Sequence, residues 1–174
     1  FKTGVETAID YAKTLNCTKL NCLIGIPEKK FSRKEIDECV LENLEYASEK
    51  LKKEKISLLI EAVNTIDIPG FYLNTTSQAK QIISQVKSDN LFLQYDIYHM
   101  QIMEGNLSLT IKENLDLIKH IQIADHPGRN EPGTGEINYN FIFEFLKSLK
   151  YEGYIGCEYI PKTNTEEGLK WKIY

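Results

Sequence analysis

Four short apolar runs each end on a polar residue able to ligate a metal, and their spacing fits one repeating strand–helix unit. The runs are Ser57–Glu61 (SLLIE), Leu91–Asp96 (LFLQYD), His120–Gln122 (HIQ) and Tyr154–Glu158 (YIGCE). From Glu61 to Asp96 to Gln122 to Glu158 the intervals are 35, 26 and 36 residues. A barrel of eight βα units devotes about 30 residues to each, since about 250 residues build all eight. In such barrels the chemistry sits at the C-terminal ends of the strands. Strands also end on polar residues simply where they meet solvent. Four in phase, all carboxylate or amide, point instead to three carboxylates and an amide converging on one hard cation.

The segments between these runs read as helices. Val5 to Leu15 puts Val5, Ala8, Ile9, Ala12 and Leu15 on one face. Lys19 to Ile26 reads as a further strand. Ser32, with Glu35 three residues on, is a capping box; it opens a helix to about Lys53, apolar at Ile36, Val40, Leu44 and Leu51. Thr76 caps a helix to about Lys87, and Leu107 to Ile118 is helical. A loop rich in Gly, Pro and Asn runs from His126 to Gly135. Asn138 then caps a helix to Lys150, apolar at Phe141, Ile142, Phe145, Leu146 and Leu149, and Thr165 starts a last helix that runs to Tyr174. The strands are continuous apolar runs, the pattern of a parallel sheet buried on both faces. Strict alternation of strand and helix implies an α/β architecture with right-handed crossovers. No Gly-rich phosphate-binding turn follows any strand, which argues against a dinucleotide fold.

The 174 residues suffice for one core and not for two ordinary domains. Five strands are counted where a closed barrel needs eight, and about 250 less 174 leaves roughly 75 residues, about three βα units. The expected fold is α/β: a (β/α)8 TIM barrel, here an N-terminally truncated fragment with about five parallel strands, residues 1–174 forming one domain. An open five-stranded sheet complete in itself is the alternative. On the barrel reading the 174 residues alone are expected to show little or no turnover.

Net charge is −4 and the lysines alternate with glutamates, as in EKLKKEK at 49–55, so no electrostatic feature favours nucleic acid. No stretch reaches the ~18 apolar residues of a membrane span. The four cysteines, Cys17, Cys22, Cys39 and Cys157, form no CxxC pair. Cys22 and Cys157 fall inside predicted buried strands, where cysteine serves as a small hydrophobe. These features suit a reduced, cytoplasmic protein acting on a small molecule, with no nucleic-acid or membrane partner. A homo-oligomer is compatible with the sequence.

Glu61 and Glu158 would sit on strands three apart around a barrel, facing each other across its mouth. Two carboxylates on opposite sides of a planar intermediate can remove and return a proton, and a divalent cation would polarise the substrate carbonyl. A purely structural ion is the competing role. His99, three residues past Asp96, suits a hydrogen bond to a substrate oxygen, although histidines after strands are often loop or core residues. Arg129 could grip a substrate carboxylate with two parallel hydrogen bonds, or lie on the surface. His120 opens a strand and reads as structural; His126 stays open.

The phrases LIEAVNTIDIPGFYL, LQYDIYHMQIMEGNL, HIQIADHPGRNEPGTGEINY and GYIGCEYIPKTNTEEGL resemble the hydroxypyruvate isomerase family, of the xylose-isomerase-like barrels, across the whole chain. The resemblance implies that Glu61, Asp96, Gln122 and Glu158 ligate Mg²⁺ or Mn²⁺. It implies that Glu61 and Glu158 are catalytic and that His99 and Arg129 bind substrate. The implied activity is interconversion of hydroxypyruvate and tartronate semialdehyde through an enediol, a small hydroxy-oxo acid being the partner. A 2-oxo-tetronate isomerase and a ketose 3-epimerase are the neighbouring activities; the epimerases usually place histidine where this chain has Gln122. A non-catalytic truncated barrel acting as a binding module is the alternative of a different class. Ile66 departs from the basic residue usual in relatives.

Overall fold

The structure, a computed structural model, describes residues 1–171. The end of the predicted last helix, 172–174, lies outside the described residues. The chain divides into two compact units, Phe1–Gln94 and Tyr95–Tyr174.

In the first unit the order is α1 (Lys2–Thr14), β1 (Lys19–Asn21), α2 (Arg33–Lys53), β2 (Ser57–Glu61), α3 (Thr76–Val86) and the first four residues of β3 (Leu91–Asp96). Its strands pair in parallel, β1 with β2 and β2 with β3. Helix α1 buries Val5, Ile9 and Ala12, while Leu15, placed on the same face by its spacing, lies past the helix end and is exposed. The capping box of α2 is present: the Ser32 hydroxyl accepts from Glu35 N at 3.3 Å, and Ser32 N donates to the Glu35 carboxylate at 2.7 Å. Lys50, Lys52 and Lys53 fill its last turn, where cations complement the partial negative charge of the helix end. The buried face of α2 is Leu44, Ala47, Ser48 and Leu51; Ile36 and Val40, one or two turns earlier, are only half-buried. Helix α3 is capped by Thr75, which accepts from Gln78 N at 3.2 Å, rather than by the predicted Thr76, which is buried.

Strand β1 stops at Asn21, five residues short of the predicted end. Cys22 N still donates to Leu59 O at 2.8 Å, and then the chain leaves the ladder. Gly25 takes a positive φ of 86° and its carbonyl accepts from Tyr72 N, so this segment pairs with the loop after β2. The apolar run at 23–26 that imitates a strand leaves Leu23 and Ile26 each 59% exposed. Cys22 is consequently half-buried and outside a strand.

In the second unit the last two residues of β3 lead into α4 (Ile97–Met103), then α5 (Leu107–Glu113), β4 (Ile118–Ile123), α6 (Tyr139–Ser148), β5 (Ile155–Cys157) and α7 (Thr165–Gly168). Strands β4 and β5 are parallel, with Gln122 opposite Gly156. Helix α4 has no counterpart in the predicted elements. Asn138 caps α6 as predicted, accepting from Phe141 N at 3.1 Å. The buried face of α6 is Tyr139, Ile142, Phe143 and Leu146, so Phe141 of the predicted stripe is exposed. The two shortest strands, β1 and β5, are only half-buried, and Cys157 is exposed rather than buried.

Candidate active site

In the first unit, β2 ends on Glu61, whose side chain is buried. The parallel register sets Glu61 opposite Gln94 of β3 and Leu59 opposite Asn21 of β1. Residues two apart on a strand share a face, so Asn21, Glu61 and Gln94 meet. Asn21 Nδ2 donates to Glu61 Oε2 at 2.6 Å and Gln94 Nε2 donates to the same oxygen at 2.8 Å. Just beyond, Asn64 shapes the following loop by accepting from Ile66 N and Asp67 N at 3.0 and 2.7 Å, an Asx turn.

In the second unit, Asp96 ends β3 and caps α4. Its Oδ1 accepts from Tyr98 N at 2.8 Å and His99 N at 3.4 Å. Its Oδ2 is buried without a hydrogen-bond partner among the described residues. Around that oxygen stand His99 Nε2 at 3.6 Å and Arg129 Nη2 at 3.9 Å. Arg129 Nη2 also reaches Glu158 Oε2 at 3.1 Å, where Gln122 Nε2 donates at 3.0 Å. Glu158 lies just past β5; its N donates to Ile123 O, and its side chain is 54% exposed. The Arg129 guanidinium rests 5.2 Å from the centre of the Tyr98 ring, a cation–π contact.

Arg129 owes its place to Asp125, a fully buried residue at the foot of its loop. Asp125 Oδ1 accepts from His126 N and Ile137 N at 2.9 and 3.1 Å, and Oδ2 accepts from Gly133 N at 2.8 Å. One carboxylate thus ties both ends of the loop together. Gly135 is required beside it, since a Cβ there would stand 2.2 Å from His126 O and 2.7 Å from Asp125 Oδ1. On β5 a Cβ at Gly156 would meet His120 Nε2 at 2.9 Å, so a larger residue there would make the imidazole shift.

Burial pushes the Asp96 carboxyl up to about 6, against the opposing pull of Arg129 and of the Tyr98 N–H; the nearby Glu158 adds to the rise. A buried carboxylate oxygen without a hydrogen-bond donor loses its hydration, and the Arg129 guanidinium 3.9 Å away offsets only part of that loss. A cation repairs that loss directly, and carboxylate and amide oxygens are the donor set that hard divalent cations take. The residues of the second unit therefore fit a divalent metal.

Asp96, Gln122, Arg129 and Glu158 come together in the second unit, with His99 buried against Asp96. Glu61 stands with Asn21 and Gln94 in the first. His120 lies on the Gln122 face of β4, two residues earlier. The Nδ1 of His126 is buried with no hydrogen-bond partner among the described residues. The sequence reading missed Asn21, Gln94 and Asp125. For Gln94 a signal existed: a lone amide inside an apolar strand.

The sequence model of the xylose isomerase-like TIM barrel family matches residues 1–172. A hydroxypyruvate isomerase of Escherichia coli (strain K12) is 52% identical over 98% of this chain and 66% of its own length. A 2-oxo-tetronate isomerase of Cupriavidus necator is 37% identical over 98% of this chain and 66% of its own. The crystal structure of an AP endonuclease, family 2, from Brucella melitensis superposes with a TM-score of 0.94 at 39% identity, covering 98% of this chain and 66% of that one. The chain spans about two thirds of the length of the curated relatives it matches, 66% of the first and 64% of others.

Proposed function

The chain belongs to the xylose isomerase-like TIM barrel family, and we propose that the whole protein is a metal-dependent isomerase of a small sugar acid. Its reaction interconverts hydroxypyruvate and 2-hydroxy-3-oxopropanoate (tartronate semialdehyde) through an enediol. The observation that carries this reading is the buried Oδ2 of Asp96, without a hydrogen-bond donor among the described residues, beside the Arg129–Glu158–Gln122 cluster. The 52% identity to a hydroxypyruvate isomerase supplies the substrate class.

Glu61, Asp96, Gln122 and Glu158 would hold Mg²⁺ or Mn²⁺. When bound, such an ion would polarise the substrate carbonyl and make the adjacent C–H more acidic. Glu61 and Glu158 move the proton. One carboxylate takes a proton from C3 of hydroxypyruvate, and the C–H electron pair becomes the C2–C3 double bond as the C2 oxygen gains a proton. A proton then returns to C2 while the C3 hydroxyl loses its own and becomes the aldehyde. The net change is one hydrogen from C3 to C2 and one proton from O3 to O2. Arg129, held in place by Asp125, pairs with the substrate carboxylate, and His99 hydrogen-bonds a substrate oxygen.

The same chemistry serves a four-carbon acid, and the 37% identity to a 2-oxo-tetronate isomerase makes that the second reading. Nucleic acid, the substrate implied by the name of the Brucella protein, suits this chain poorly, because its net charge is −4 and its lysines are interspersed among glutamates. Among the described residues no helix is long and apolar enough to cross a membrane. We place the protein in the reducing cytoplasm, where its four free thiols would stay unpaired. The test is kcat/KM on hydroxypyruvate and on 2-oxo-tetronate with Mg²⁺ or Mn²⁺: a larger value for hydroxypyruvate supports the first reading, and the reverse order replaces it with the second.

A further inference from the structure

We infer that Asn21 and Gln94 are positioning residues that fix the orientation of the Glu61 carboxylate, an inference that rests on Glu61 acting as proposed above. Both side-chain amides donate to one atom, Glu61 Oε2, at 2.6 and 2.8 Å. A carboxylate oxygen offers two lone-pair directions. Two donors on Oε2 occupy both and fix the plane of the group.

The chemistry of the donors suits that task. Amides are neutral, so they orient the carboxylate and leave its full negative charge for a cation. An arginine or lysine in either position would hold it as firmly and compete for that charge. The placement is costly, which argues that it serves the site. Gln94 is a buried amide in the interior of β3, where its neighbours Leu93 and Tyr95 are apolar, and burying an amide is unfavourable unless it is hydrogen-bonded. Asn21, by contrast, is exposed at the end of β1 and contributes little to the core. The parallel register delivers both to the Glu61 face without any loop intervening. Partners of this kind behind metal ligands are typically worth about 10- to 100-fold in metal affinity.

The experiment is calorimetric titration of the whole protein with Mn²⁺ for wild type, Asn21→Ala, Gln94→Met and Glu61→Ala, with each thermal midpoint measured in chelator. We expect Asn21→Ala and Gln94→Met each to weaken Mn²⁺ binding about 10-fold or more, with the chelator midpoint of Asn21→Ala within about 3 °C of wild type. Wild-type affinity in both amide variants, alongside weak binding by Glu61→Ala, overturns the inference and leaves Glu61 as a ligand. A weakened affinity that tracks a lowered chelator midpoint in Asn21→Ala assigns the effect to folding and also overturns it. Binding by Glu61→Ala equal to wild type removes Glu61 as a ligand, and the inference falls with it. Should Gln94→Met fail to fold, the exposed Asn21→Ala decides alone.

Discussion

Replacing Asp96 by asparagine isolates what it costs to hold a negative charge ready for a cation. Asp96 is 1% exposed, and burial lifts its carboxyl from 3.8 to about 6. A rise of about two units corresponds to about 3 kcal/mol, at about 1.4 kcal/mol per unit. The folded pKa lies above the unfolded one, so the folded state binds more protons between about pH 4 and pH 6. The penalty is absent below that window, where both states are protonated, and is fully present above it. Asparagine keeps an acceptor for the Tyr98 and His99 N–H groups and caps a helix as well as aspartate does. Its amide N–H₂ takes the place of the unpartnered Oδ2, which returns about 1–2 kcal/mol of the gain. In chelator at neutral pH, Asp96→Asn should therefore be about 1–2 kcal/mol more stable than wild type, a rise in Tm of about 2–8 °C for a chain of this size. At pH 4.5 the difference should shrink. With Mn²⁺ in excess the order should reverse, because binding stabilises only the protein that can bind. Thermal unfolding followed by circular dichroism reads all of these conditions. A variant less stable than wild type in chelator at neutral pH would refute the reasoning, since Asp96 would then be a stabilising cap and not a charge held in reserve.

Glu61→Gln and Glu158→Gln should each lower hydroxypyruvate turnover by about 10²–10⁴, because an amide cannot accept the substrate proton; His99→Ala should cost less and act mainly on KM. Arg129→Leu should raise KM for hydroxypyruvate by about 10-fold or more, the worth of a charge-assisted hydrogen bond, and an unchanged KM in steady-state assays would remove it as the carboxylate partner. Asp125→Ala should cost about 3–5 kcal/mol in urea unfolding, since it strands three backbone N–H donors that the carboxylate now satisfies. A loss under 1 kcal/mol would mean that the loop is not held from that residue.

Much of the sheet was legible because apolar runs and polar ends carry independent signals. Strands β2 and β3 lie where SLLIE and LFLQYD place them, and the helix caps at Ser32 and Asn138 follow from side-chain chemistry alone. Strand β1 was overread because Leu23, Ile24 and Ile26 look like core, whereas a positive-φ glycine turns that run out of the ladder. Helix α4 was hidden for a different reason. Seven residues are too few for a periodic signal, and its cap, Asp96, was already read as a ligand. The face of α6 is ambiguous in sequence because phenylalanines alternate along it at 141, 143 and 145; Phe143 is buried and Phe141 exposed. Within the second unit Asp96, Gln122, Arg129 and Glu158 lie near one another. Asn21 and Asp125 were not legible, because their roles depend on strand register and loop closure, which periodicity does not encode; Gln94 stood out as a lone amide in an apolar strand, but its partner depends on register too.

Metal-dependent turnover of hydroxypyruvate is the most direct test of the proposed isomerase. The whole protein should convert hydroxypyruvate to tartronate semialdehyde with Mg²⁺ or Mn²⁺ present, lose that activity in excess chelator, and regain it when the ion is restored. Full turnover in excess chelator would contradict the account.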